Sequence, residues 1–105
     1  MNLNGTDKQI ALAQSIIERV SERADEVGVA ARIVRAIADG DMAAAEAELG
    51  ALAETANAEM VESFVVAGLR RYVGGPVGFG DCAKVAGKPA EASAVIEAFK
   101  KAFYA

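Results

Sequence analysis

Apolar residues recur at Ile10, Ala13, Ile17, Val20, Ala24 and Val27, spaced three, four, three, four, three. That interval is the seam of an amphipathic helix packed along a neighbour at a shallow angle. Ile16 widens the stripe. Thr6 with Gln9 three residues on forms a capping box, which predicts the helix start at Thr6. Gly28 reads as its end or as a bend. Helical spacing resumes at Val29, Ile33 and Ile37, predicting a short second helix from about Val29 to Ala38 that stops at Gly40.

Asp41 is the expected N-cap of a third helix with the stripe Met42, Ala45, Leu49, Leu52 and Ala56. The same periodicity runs on to Tyr72, but one rod of that length (~48 Å) would overshoot a body whose radius of gyration should be ~13 Å. A break near Thr55 to Asn57 is expected instead. Asn57 would then cap a fourth helix through Met60, Val61, Phe64, Val65, Leu69 and Tyr72. Gly68 on or near that stripe suggests close approach of another backbone. The last helix is expected to begin with Pro89 in its first turn, where a missing N–H costs nothing. Its apolar face is Ala92, Val95, Ile96, Phe99 and Phe103, and Lys100 and Lys101 suit the negative end of its dipole.

Residues 74–88 break this pattern. They hold five of the ten glycines, one of the two prolines and the single cysteine. Asp81 could cap one turn over Cys82 to Ala86, ended by Gly87. No stretch alternates with period two. The expectation is an all-α fold: an irregular bundle of four to five short helices with a Gly-rich crossing loop before the last, as one domain over residues 1–105.

Composition tempers the apolar fraction of 53 %, because 24 of the 105 residues are alanine. Alanine favours helix and lets axes approach closely, but adds little burial energy. No apolar run nears the ~20 residues of a membrane span, and the polar N-terminus lacks the layout of a signal peptide. With a lone cysteine, a cytoplasmic protein without a membrane partner is expected.

Charge is unevenly placed. Residues 1–69 carry five basic and twelve acidic side chains, a net of −7, and residues 70–105 carry six basic and three acidic, a net of +3. The overall −4 argues against a nucleic-acid partner, whose usual footprint is a basic excess. Such polarity can hold two halves of a fold together or bring two copies into contact.

Candidate chemistry is sparse. Gly75, Gly78 and Gly80 invite a phosphate-loop reading with Lys84 beside them. Nucleotide loops need a strand before the glycines, however, and Asp81 would oppose an anion. Cys82 near Lys84 and Lys88 is a conceivable reactive thiol, but the chain has no histidine to serve as its base. Glu59 and Glu62 share a helix face, again without histidine, and no metal or cofactor is expected. Arg32 with Arg35, and Arg70 with Arg71, would clamp an anion or form ion pairs with the acidic helices. The aromatic tail Phe99, Phe103 and Tyr104 reads mainly as core.

The reading that follows is a small non-enzymatic protein-interaction module, an adaptor, regulator or inhibitor of a larger protein. Its partner would have a basic surface, or be a second copy in a homodimer. Two surfaces are candidates: an acidic docking face of Glu46, Glu48, Glu54, Glu59 and Glu62, and an interaction or ligand loop of Arg70, Arg71, Gly75, Gly78, Phe79, Gly80, Asp81, Cys82 and Lys84. The alternatives are a small-ligand or anion binder using loop 74–88, and a thiol enzyme or redox sensor using Cys82.

Overall fold

The computed structural model describes residues 2–52, Glu59 and 88–104. The described chain is mostly helical, with α1 at Asp7–Val20, α2 at Glu26–Ala38, α3 at Met42–Leu52 and α4 at Ala92–Phe103. The expected break at Thr55 to Asn57, the fourth helix through Tyr72, the Gly-rich tract and the turn at Asp81 lie outside the described residues.

The start of α1 follows the sequence closely. Thr6 Oγ1 accepts from the Gln9 N–H at 3.2 Å, and the Thr6 N–H donates to Gln9 Oε1 at 3.0 Å, closing the capping box. Gly5 makes this possible. It sits at φ 151°, and a Cβ there would come within 2.8 Å of Gln9 Oε1.

The end of α1 departs from the seam. The helix stops at Val20, and five residues lead to α2, whose N-cap is Asp25. Ala24, expected in the apolar stripe, is exposed. Gly28 is therefore neither an end nor a bend, and lies inside the first turn of α2. Its N–H donates to Asp25 Oδ1 at 3.2 Å. The spacing of 17, 20, 24 and 27 suits an unbroken helix equally well, and the capping chemistry of Asp25 decides between the two. At the other end, α2 closes where expected, at Gly40 with φ 75°.

α2 is the centre of the core. Nine of its thirteen residues are buried, a wider face than a single stripe, with Arg35 left exposed. Four of the nine are alanines (30, 31, 36, 38), small enough for neighbouring axes to come close. α3 packs against α2 through buried Ala45 and half-buried Met42, and is capped as expected by Asp41 Oδ1, which accepts from the Ala44 N–H at 3.1 Å.

A second departure is a short parallel strand pair that no alternating pattern announces. β1 (Leu3–Asn4) pairs with β2 (Ala90–Glu91) in the register Leu3 with Ala90 and Asn4 with Glu91. Pro89 is accordingly not in the first turn of α4. It precedes β2, and the helix begins three residues later at Ala92 with Glu91 as N-cap. At Ala90 the ladder needs an N–H, which donates to the Asn2 carbonyl at 3.0 Å. Proline one residue earlier takes nothing from that bond.

Each strand leads into a helix, so α1 and α4 start side by side. Gly5 adjoins Ala92 at one end. At the other, the Arg19 guanidinium lies 5.2 Å from the Phe103 ring centroid, and Arg23 Nη1 donates to the Ala102 carbonyl at 3.4 Å. The two helices therefore run parallel over their length. Among the described residues the largest fully buried side chains come from these two helices and α2: Phe99, Ile16, Ile17, Ile33, Ile37, Val20, Val34 and Val95.

Candidate functional site

The arginines of the first two helices divide between internal and open positions. Arg32 is internal. Its Nη1 donates to the Ser21 carbonyl at 2.9 Å and to the Arg23 carbonyl at 2.8 Å, both past the end of α1, where carbonyls lack helical partners. Its Nε donates to Glu48 Oε1 of α3 at 3.1 Å. One guanidinium thus ties α1, α2 and α3 together. Gly28, one turn before Arg32, leaves room for the same Arg23 carbonyl, because a Cβ at 28 would overlap that oxygen.

Arg23 pairs with Asp25 and reaches the end of α4. Partial burial raises the Asp25 pKa, but the Arg23 hydrogen bond, the Gly28 N–H and the Arg23 charge outweigh it, leaving the carboxyl below its ordinary value. Arg19 stacks on Phe103, which meets Tyr104 edge-on with centroids 4.8 Å apart. Phe99 is core and Phe103 partly buried, whereas Tyr104 is 71 % exposed, so the aromatic tail turns outward at its last ring.

Of the five acidic candidates, Glu46, Glu48 and Glu59 are among the described residues. Glu46 and Glu59 are exposed. Glu48 is half-buried, its carboxylate held by Arg32. Glu54 and Glu62 lie outside the described residues. So do Arg70, Arg71, Gly75, Gly78, Phe79, Gly80, Asp81, Cys82 and Lys84, the whole of the candidate loop. Around Glu46 the surface of α3 is low in relief, with Ala43, Ala44, Ala47 and Gly50 all exposed. A Cβ on Gly50 would meet nothing within 4 Å, so packing within the chain does not demand glycine there.

A cleft between α1 and α2 was not foreseen. It is lined by Gln14, Ile17 and Glu18 on one side and by Arg35 and Asp39 on the other, with a volume of about 270 Å³. The sequence signal was present in the four-residue steps 14 to 18 and 35 to 39, which put each pair on one helix face. What it lacked was the knowledge that the two faces adjoin. Among the described residues no three acidic, cysteine or histidine side chains gather as a metal ion would need, and no helix is long and apolar enough to cross a membrane.

The chain matches no family model, no curated protein and no solved structure.

Proposed function

We propose that this chain is a small non-enzymatic protein-interaction module that docks a basic partner protein through its acidic surface. The reading is carried by the charge division, −7 over residues 1–69 against +3 over residues 70–105. It draws further support from the exposure of Glu46 and Glu59 and from the low alanine and glycine relief around Glu46, across which a partner backbone can come close. Glu48, engaged with Arg32, marks the inner edge of that surface. In this reading residues 53–87 supply a further helix and a Gly-rich crossing that returns the chain to β2. Arg70, Arg71 and Lys84 supply the opposite charge, through which a second copy is the other partner that fits. Neither nucleic acid nor a membrane surface suits the net charge, and the docking role needs no cofactor.

Charge-driven docking weakens as salt screens it. The test is capture from extract on the immobilised chain at low and at high salt, with the double variant Glu46→Lys/Glu59→Lys beside the wild type. Proteins retained at low salt and lost both at high salt and on the variant are the expected result. Retention indifferent to salt and to charge reversal would remove the acidic surface as the docking site. Sedimentation at the two salt concentrations reads self-association in the same way.

A further inference from the structure

β1 ends in Asn4–Gly5, the only asparagine–glycine step in the chain. Asparagine is a chemically labile side chain. Its characteristic reaction is ring closure onto the next backbone nitrogen, and glycine hinders that closure least. With no Cβ on Gly5, the approach of its nitrogen to Asn4 Cγ is open. Both residues are exposed, so water reaches the pair. The strand register ends at Asn4 with Glu91, and the Gly5 N–H beyond it has no hydrogen bond among the described residues. The ladder therefore does not hold the nucleophile.

The fold keeps this step in place. Gly5 sits at φ 151°, and a Cβ there would come within 2.8 Å of the Gln9 Oε1 that closes the capping box. Asn4 Nδ2 in turn donates to Glu91 Oε1 at 3.3 Å, joining the strands by side chains where their backbones also pair. That bond engages the leaving nitrogen and not the carbon under attack. The labile amide is thus a latch on a ladder two residues long, a pairing that is marginal by itself.

We propose that Asn4–Gly5 is a self-modification site at which deamidation releases β1 from β2. The Gly5 nitrogen loses its proton to water and bonds to Asn4 Cγ. The Cγ–Nδ2 bond breaks, and Nδ2 takes up a proton and leaves as ammonia. Water then adds to either carbonyl of the cyclic imide and breaks that carbon's bond to the Gly5 nitrogen, which recovers a proton. Opening at Cγ gives aspartate, and opening at the backbone carbonyl gives isoaspartate. The aspartate product loses the Nδ2 donor and sets a carboxylate against Glu91, like charges across a strand pair. The isoaspartate product routes the backbone through Cβ and Cγ, one atom longer, and displaces the register. Both products weaken the pair. The site is independent of the acidic docking surface.

The test incubates the folded full chain at neutral and mildly alkaline pH, with the chain in urea alongside. Peptide mass and isoaspartate content follow each asparagine. Asn4 is expected to convert in the folded chain ahead of Asn2 and Asn57, which precede leucine and alanine. Conversion of Asn4 no faster than these two, or only in urea, would overturn the modification. Release is read by hydrogen exchange of the Ala90 amide, which donates to the Asn2 carbonyl across the ladder. Asn4→Asp should speed that exchange about fivefold, and Asn4→Asp/Glu91→Gln should restore it. Asn4 is exposed, so unchanged amide shifts in α2 verify the fold. An unaltered rate in Asn4→Asp, or a faster rate that Glu91→Gln fails to rescue, would overturn the latch.

Discussion

Arg32 joins three helices through one side chain, because its three N–H donors serve two carbonyls past α1 and one carboxylate of α3. Arg32→Met keeps much of the stem and strands those acceptors. It should cost about 2–3 kcal/mol, the range for hydrogen bonds to a charged group. Glu48→Gln removes only the charge of a half-buried pair and should cost under ~1 kcal/mol. Urea unfolding of both variants checks the ratio, and equal losses would mean that the pair, not the carbonyls, holds the junction. The glycines separate in sign. Gly28→Ala drives a methyl into the Arg23 carbonyl and should cost about 2–3 kcal/mol, lowering Tm by roughly 10–20 °C. Gly50→Ala meets open space in a helix and should raise stability by up to ~1 kcal/mol. Neither sign was readable from composition. Both glycines sit within helical pattern, and only the neighbouring atoms tell them apart.

At the scale of elements, helix ends marked by a polar side chain at fixed local distance were the most legible features. Thr6 with Gln9, and Asp41 before Met42, cap their helices as the spacing predicts. The start of α2 is marked just as plainly by Asp25, but the longer apolar periodicity runs across it and masks the boundary. Asp25 also gives this element a pH dependence. Its folded pKa lies below the ordinary 3.8, so the unfolded chain takes up the proton first as pH falls. The stabilisation is present above about 3.8 and is lost as pH drops through the folded value. Asp25→Asn should flatten that acid limb of the stability curve while changing little at neutral pH beyond the loss of the Arg23 pair. An acid limb identical to that of the wild type would sink the assignment. The strand pair lies at the opposite extreme. Two residues on each strand are too few for an alternation to show, and their pairing spans more than eighty positions. The Ala90 amide should be protected from hydrogen exchange in the intact chain and lose that protection when residues 1–5 are removed. Unchanged protection after removal would show that the pair contributes nothing to holding α4.

For the molecule as a whole, the parallel run of α1 and α4 is the organising fact. Helices adjacent in space and parallel in direction need a long return between them, and residues 21–91 provide it by way of α2 and α3. α2, with nine of its thirteen residues buried, contributes more buried residues than any other described helix. The charge division acts on this same scale. Because Glu46 and Glu59 are exposed, reversing them should leave stability within about 0.5 kcal/mol of wild type while abolishing salt-sensitive docking. A large drop in Tm on that double reversal would mean that the carboxylates serve the fold rather than a partner.

The sequence alone determined the mostly helical class, the caps at Thr6 and Asp41, the stop at Gly40 and the buried face of α4. Each of these rests on interactions within a few residues, so local spacing carries the information. Tertiary structure decided the strand pair, the parallel course of α1 and α4, the three-way role of Arg32 and the cleft between Glu18 and Arg35. All of these join residues distant in the chain, and their geometry follows from which faces the closed core brings together. Helical period specifies that a face exists, while the neighbour it meets is chosen only when the whole apolar surface is buried at once.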